Sequence, residues 1–193
     1  MRKHAFASLL ALALASVATA QAATVVSLVG DEDGFGQGIT NGSGVDWTTI
    51  HSPDVQGTDN WFYGDQSVVH NYSLPTDIVS ASLEVFTAGQ GLSGLSNIYL
   101  NGTLIGQLTD GDDVGPAYNY AWKDTFNLTP YLGLLTGSDT VTIRTATGGG
   151  DGWAWDYSKL TVTAAVPEAS SYGMAFAGLA VVGALMRRRR PAA

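Results

Sequence analysis

The chain has 193 residues, a formal net charge of −8, 45% hydrophobic residues and no cysteine. The absence of cysteine excludes disulfide staples, thiolate metal sites and cysteine nucleophiles. The acidity disfavours nucleic acid and anionic membrane surfaces as partners, and it suits divalent cations or neutral glycans.

The chain opens on a basic Met1-Arg2-Lys3-His4, then the apolar stretch Ala5 to Ala18. Two small-x-small sites follow, Ala18-Thr19-Ala20 and Ala20-Gln21-Ala22. That order predicts an N-terminal signal helix, a secretory signal peptide over residues 1–22, removed by signal peptidase.

Residues 23–165 have the length of one ordinary domain. They hold three of the nine basic residues, Lys123, Arg144 and Lys159, and sixteen of the seventeen acidic ones, so the region carries −13. Its patterning is all-β. Thr24 to Val29 is a β-branched run, and Val45 to Ile50 alternates around Trp47. Ser67 to Leu74 reads as a strand stopped by Pro75. From Ile78 to Thr87 the residues alternate, with Val79, Ala81, Leu83 and Val85 on the apolar side, the signature of a half-buried strand. Asn101-Gly102 between two apolar runs predicts a type I′ hairpin over Asn97 to Gly106, because both central residues must take positive φ. Asp124 to Leu128, Thr140 to Thr145 and Trp153 to Thr163 complete roughly nine strands, and Pro130 to Leu135 reads as a short helical turn. The fold class is an antiparallel β-sandwich or jelly roll.

The C-terminal region, 166–193, has three parts: Val166-Pro167-Glu168, an uncharged stretch from Ala169 to Met186, and Arg187, Arg188, Arg189 and Arg190. As a helix the uncharged stretch would be roughly 27 Å long, just enough to cross a hydrocarbon core with snorkelling arginines. A C-terminal transmembrane helix over about 169–186 is therefore expected, with the arginines cytoplasmic and residues 23–165 outside.

These three parts resemble the PEP-CTERM sorting signal of Gram-negative bacteria. Position 169 is Ala where that family has Pro. The resemblance implies export across the inner membrane as a C-terminally anchored precursor. Exosortase would then process it for the cell envelope, surface or exterior of a host that makes exopolysaccharide.

A second resemblance, to the galactose-binding-like β-sandwich of many carbohydrate-binding modules, rests on four segments. They are Tyr99-Leu100-Asn101-Gly102, Phe126 to Leu132, Gly137 to Ile143 and Trp155-Asp156-Tyr157. In those modules a structural Ca²⁺ often sits between an early acidic loop and an Asp of the last strand. Carried over, this implies Asp31, Asp33 and Asp156 as ligands, with Asp151 as a fourth candidate. From the residues alone, Asp31-Glu32-Asp33-Gly34, Asp110-Gly111-Asp112-Asp113 and Asp151 with Asp156 offer the oxygens a hard cation needs, and are equally ordinary turn chemistry. No cofactor is required, and Ca²⁺ is the one these clusters would take.

Aromatic faces stack on sugar rings. Trp61, Tyr118 and Tyr120 are the candidate glycan-binding residues, Trp61 because Trp61-Phe62-Tyr63 cannot all face one core, the tyrosines because they lie in a Gly/Pro-bearing loop. Trp47, Trp153 and Trp155 read as core. Catalysis has little support. Only His51 and His70 lie in the domain, no Gly-x-Ser-x-Gly elbow is present, and His51 with Asp54 and Asp59 has metal-ligand chemistry but reads first as a surface histidine near turns. The leading reading is a noncatalytic, exosortase-sorted envelope or extracellular-matrix protein. The alternatives are a Ca²⁺-stabilised carbohydrate-binding module, with exopolysaccharide as partner, and a polysaccharide hydrolase.

Overall fold

The structure is a computed structural model, and it describes residues 22–46, 50, 57–111, 119–146, 152–165, 173 and 178–180. The chain divides so that residues 24–164 form one compact unit. Ten strands are present among the described residues. They are β1 (Ala23–Gly30), β2 (Gly44–Val45), β3 (Asn60–Tyr63), β4 (Gln66–Asn71), β5 (Ile78–Ala88), β6 (Asn97–Leu100), β7 (Thr103–Gln107), β8 (Asn119–Asn127), β9 (Ser138–Arg144) and β10 (Gly152–Ala164). A six-stranded sheet has the order β1-β10-β5-β8-β2 with β3 also on β10, and a four-stranded sheet has the order β4-β9-β6-β7.

The predicted β-sandwich is the observed architecture. Its main core holds Leu83, Val85, Trp153, Trp155, Leu160 and Val162 from the large sheet, with Ile98, Leu100, Val141 and Ile143 from the small one. The large sheet also buries part of its other face, where Phe35, Val45, Ile50, Phe86, Ala88, Ala121, Ala154 and Tyr157 cluster. Trp61 and Phe62 divide accordingly: Phe62 packs on the main core and Trp61 on the second cluster. Both faces of the sheet are covered there, as an adjacent aromatic pair requires.

The hairpin forms as expected. Asn101 (φ 49°) and Gly102 (φ 80°) supply the turn between β6 and β7. The predicted helical turn is a 3₁₀ segment, Thr129–Leu134. The strand expected over residues 45–50 is shorter: β2 ends at Val45, and residues 47–49 lie outside the described set. The predicted alternation of β5 holds from Ala81 to Val85 but fails at its start. Val79 is 51% exposed while Ile78 packs on the core, because the pairing with β10 slips between Thr163 and Ala164.

The expected signal peptide, apart from Ala22, lies outside the described residues, as do Val166, Pro167, Glu168 and the four arginines. Of the expected tail helix only Gly173 and residues 178–180 are described, and they are helical. Among the described residues no helix is long and apolar enough to cross a membrane.

Candidate metal centre

The site is built around an irregularity in β10. Before Asp156, odd-numbered residues (Trp153, Trp155) enter the main core; after it, even-numbered ones (Leu160, Val162) do. The change of parity is a β-bulge: Trp155 pairs with Thr87 and Tyr157 with the adjacent Phe86, leaving Asp156 without a partner on β5. Asp156 is also where the opposite edge of β10 changes neighbour. β3 pairs with Gly152 to Trp155, and β1 occupies the edge beyond. The chain leaving β1 and the chain entering β3 therefore both meet at Asp156.

Each brings carboxylates. Asp31, Asp33, Asp59 and Asp156 each offer an oxygen within 4.8 Å of all the others. Two oxygens bound to one ion at about 2.4 Å are at most about 4.8 Å apart, so the spacing matches a shared Ca²⁺. Asp31 and Asp33 are exposed, whereas Asp59 is 3% and Asp156 0% exposed.

The backbone is shaped to hold them. Gly30 (φ 85°) lets β1 end against β10, and a Cβ there would collide with the Asp156 carbonyl. Gly34, Phe35 and Gly36 all take positive φ (72°, 60° and 69°), turning successive N–H groups inward. Gly34 N and Phe35 N donate to Asp156 Oδ2 and Oδ1 (3.3 and 3.2 Å), and Gly36 N donates to Asp33 Oδ1 (2.6 Å). Positive φ is costly for a bulky residue. Phe35 is held there by burial and by its ring against Phe86, 5.2 Å between centroids. Asp59, also at positive φ (55°), is fixed by its N–H to the Trp155 carbonyl (2.8 Å).

The electrostatics are those of a cluster short of positive charge. Burial, with Asp156 and then Asp33 and Asp31 beside it, pushes the Asp59 carboxyl up to about 8. Burial also raises Asp156, to about 6, although the Phe35 and Gly34 amides oppose it. Asp59 Oδ1 is buried with no hydrogen-bond partner among the described residues. Without a cation, this carboxyl keeps a proton to relieve crowding; with one, the proton leaves.

A groove of about 350 Å³ adjoins the cluster, with Asp156 and Gly34 in its wall beside Glu32, Asn41, Lys123 and Tyr157. Glu84 Oε1 accepts from the Tyr157 hydroxyl (2.7 Å) and pairs with Lys159 (3.2 Å) and Lys123 (3.6 Å). Burial alone would raise the Glu84 carboxyl, but Tyr157 and the lysines hold it below its usual value. Lys159 reaches Glu32 as well, 2.5 Å away. Lys123 thus lines this groove, and Lys159 is tied to its wall through Glu32.

Of the sequence-derived metal candidates, Asp31, Asp33 and Asp156 come together, and Asp151 lies outside the described residues. Asp59 completes the set although the sequence groups it with His51 and Asp54, which are also outside. Its position just before an aromatic strand is the one local signal. Tyr118 lies outside, and Tyr120 stands in β8 opposite Gly44, not in a loop, so the loop assignment is corrected. Trp61 is a half-buried wall of the second cluster. Asp112 and Asp113 lie outside the described residues. Trp153 and Trp155 are core residues, at 0% and 1% exposure.

Fold and site together define a two-sheet antiparallel sandwich with a four-carboxylate pocket at one bulged strand. The family model of the PEP-CTERM protein-sorting motif matches residues 165–190. The chain therefore carries that motif, which implies an exported precursor sorted by exosortase. No curated protein matches the chain. Among solved structures it is similar to the CBM36-1 domain of a multidomain xylanase from the hindgut metagenome of Trinervitermes trinervoides. Identity is 12% over 72% of this chain and 96% of that one, with a TM-score of 0.36.

Proposed function

We propose that this is a noncatalytic, exosortase-sorted envelope protein whose sandwich binds a divalent cation, Ca²⁺ by its chemistry, and a neutral glycan beside it. One observation carries the reading: four carboxylates each offer an oxygen within 4.8 Å of the others, and one of them, Asp59, has a buried Oδ1 with no hydrogen-bond partner among the described residues. Oxygen ligands in that number suit a hard cation over a soft one. The groove sharing Asp156 offers acid, amide and ammonium groups over the Tyr157 and Phe86 rings, a lining suited to sugar hydroxyls. The −13 charge of the domain favours neutral sugars over polyanions.

The test is a Ca²⁺ titration by calorimetry, then retention of the protein in gels containing neutral polysaccharides, with and without EDTA. The proposal expects about one Ca²⁺ per chain, proton release on binding, retention by at least one polysaccharide and no release of reducing sugar. Heatless Ca²⁺ titrations and unretarded migration would remove it; turnover on a polysaccharide would move the protein to the hydrolases.

A further inference from the structure

The segment that follows β1 belongs to two sites at once. Its Asp31 and Asp33 bring oxygens to the cluster with Asp59 and Asp156. Its Glu32, Gly34, Ile39, Thr40 and Asn41 line the adjoining groove, and so does Asp156 itself. Phe86, Lys123 and Tyr157, from the large sheet, complete the lining. The far end of the segment is fastened to the sheet: Asn41 Oδ1 accepts from Lys123 N at 2.7 Å, and Gly42 N donates to the Ala121 carbonyl at 2.8 Å. Residues 31–33, by contrast, enter the cluster itself. Carboxylates this close repel unless a cation or a proton stands between them. The position of this stretch of wall therefore depends on what occupies the cluster.

Glu32 lies between the two candidate ligands, so it is carried with them. Its carboxylate pairs with Lys159 at 2.5 Å, and Lys159 pairs also with Glu84 at 3.2 Å. Glu84 accepts from the Tyr157 hydroxyl at 2.7 Å and pairs with Lys123 at 3.6 Å. A contiguous chain of charged contacts thus runs from the metal segment to two residues on the sheet side of the groove, the kind of network through which two sites can be coupled. Given the cation and glycan binding of the proposed function, we propose that Glu32 is a positioning residue that couples them. The bound cation sets residues 31–33, the Glu32–Lys159–Glu84 chain sets the groove, and cation and glycan bind cooperatively with no bond between sugar and cation. Such coupling is reciprocal, each ligand tightening the other by one factor.

The full chain, in a detergent without a sugar headgroup, is run through native gels holding hydroxyethylcellulose, galactomannan or arabinoxylan, in EDTA and in excess Ca²⁺. Ca²⁺ should strengthen binding to at least one of them ~tenfold or more, or about 1.4 kcal/mol of coupling. Calorimetry should show Ca²⁺ binding tightened by the same factor when that polysaccharide is present. Glu32→Gln and Lys159→Gln break the chain from either end, and each should abolish most of the coupling. Their direct effects on the cation oppose, since one removes a negative neighbour and the other a positive one, so a shared loss of coupling is not simple electrostatics. Should one variant fail to fold, the other decides. Ca²⁺ binding together with polysaccharide binding that is equal in EDTA and Ca²⁺ overturns the proposal and leaves the proposed function standing. Coupling that survives both substitutions also overturns it and assigns the linkage to direct contact of sugar with cation. Absence of Ca²⁺ binding, or of retention by any of the polysaccharides, removes the proposed function and this coupling with it.

Discussion

Asp156 owes its position to one extra residue. The bulge rotates β10 so that a carboxylate that would lie along the sheet is carried to the seam between β1 and β3. Gly30 is the counterpart on β1. Gly30→Ala is expected to destabilise the domain by about 2 kcal/mol or more, from strained φ and collision with the Asp156 backbone, measured by urea unfolding. Asp59 gives a test of opposite sign. A buried carboxylate crowded by three others costs stability when metal-free, so Asp59→Asn should raise the melting temperature in EDTA and abolish any rise with Ca²⁺. A purely structural Asp59 would instead lose stability in both conditions. Asp31 and Asp33 were legible because acid runs after a strand are conspicuous, and Asp156 through the last-strand resemblance. Asp59 was hidden because its approach depends on which strand follows β1 along β10, a long-range pairing that local sequence does not encode.

At the scale of elements, the Asn101-Gly102 hairpin was the most legible piece, because positive φ at two successive residues leaves few sequence solutions. Its wider role emerges only in the fold. Asn101 Nδ2 donates to the Leu134 carbonyl and to Asp139 Oδ1, both at 2.8 Å, and its Oδ1 accepts from Thr140 N at 2.8 Å. The turn is thereby fastened to the 3₁₀ segment and to β9. Asn101→Ala should cost about 2 kcal/mol in chemical denaturation, and Asn101→Gly less, since glycine keeps the turn while losing the bonds. β3 and the start of β8 were less legible. β3 has only four residues, too few for a period, and its pairing with β10 decides it; Tyr120 is recruited to β8 by pairing with Gly44. The reversed start of β5 has the same origin, since a bulge changes which face a residue meets while its hydrophobicity stays the same.

At the scale of the whole domain, His70 ties the sheets together. It is fully buried on β4, with Nδ1 3.1 Å from Ser27 Oγ on β1 and Nε2 2.9 Å from Ser158 Oγ on β10. Burial lowers its pKa from 6.5 to about 4. Between those values the unfolded chain binds the proton and the folded one does not. This contribution is present above pH 6.5 and is lost as pH falls toward about 4. The metal-free carboxylates act with the opposite sign, Asp59 throughout that window and up to about pH 8 and Asp156 up to about pH 6, because their folded pKa values are raised. A difference measurement separates them: the stability advantage of wild type over His70→Gln should shrink as pH falls from 6.5 to about 4. A constant gap would remove His70 as the titrating group. The sandwich class followed from alternation and turn spacing, whereas the sheet order and the inter-sheet histidine required the pairings themselves. The measurement that bears most directly on the account is thermal unfolding of the wild-type chain in EDTA and in excess Ca²⁺ near neutral pH. Four converging carboxylates predict a clear rise in melting temperature with Ca²⁺ that is absent in Asp156→Asn, and coincident wild-type curves in the two conditions would contradict it.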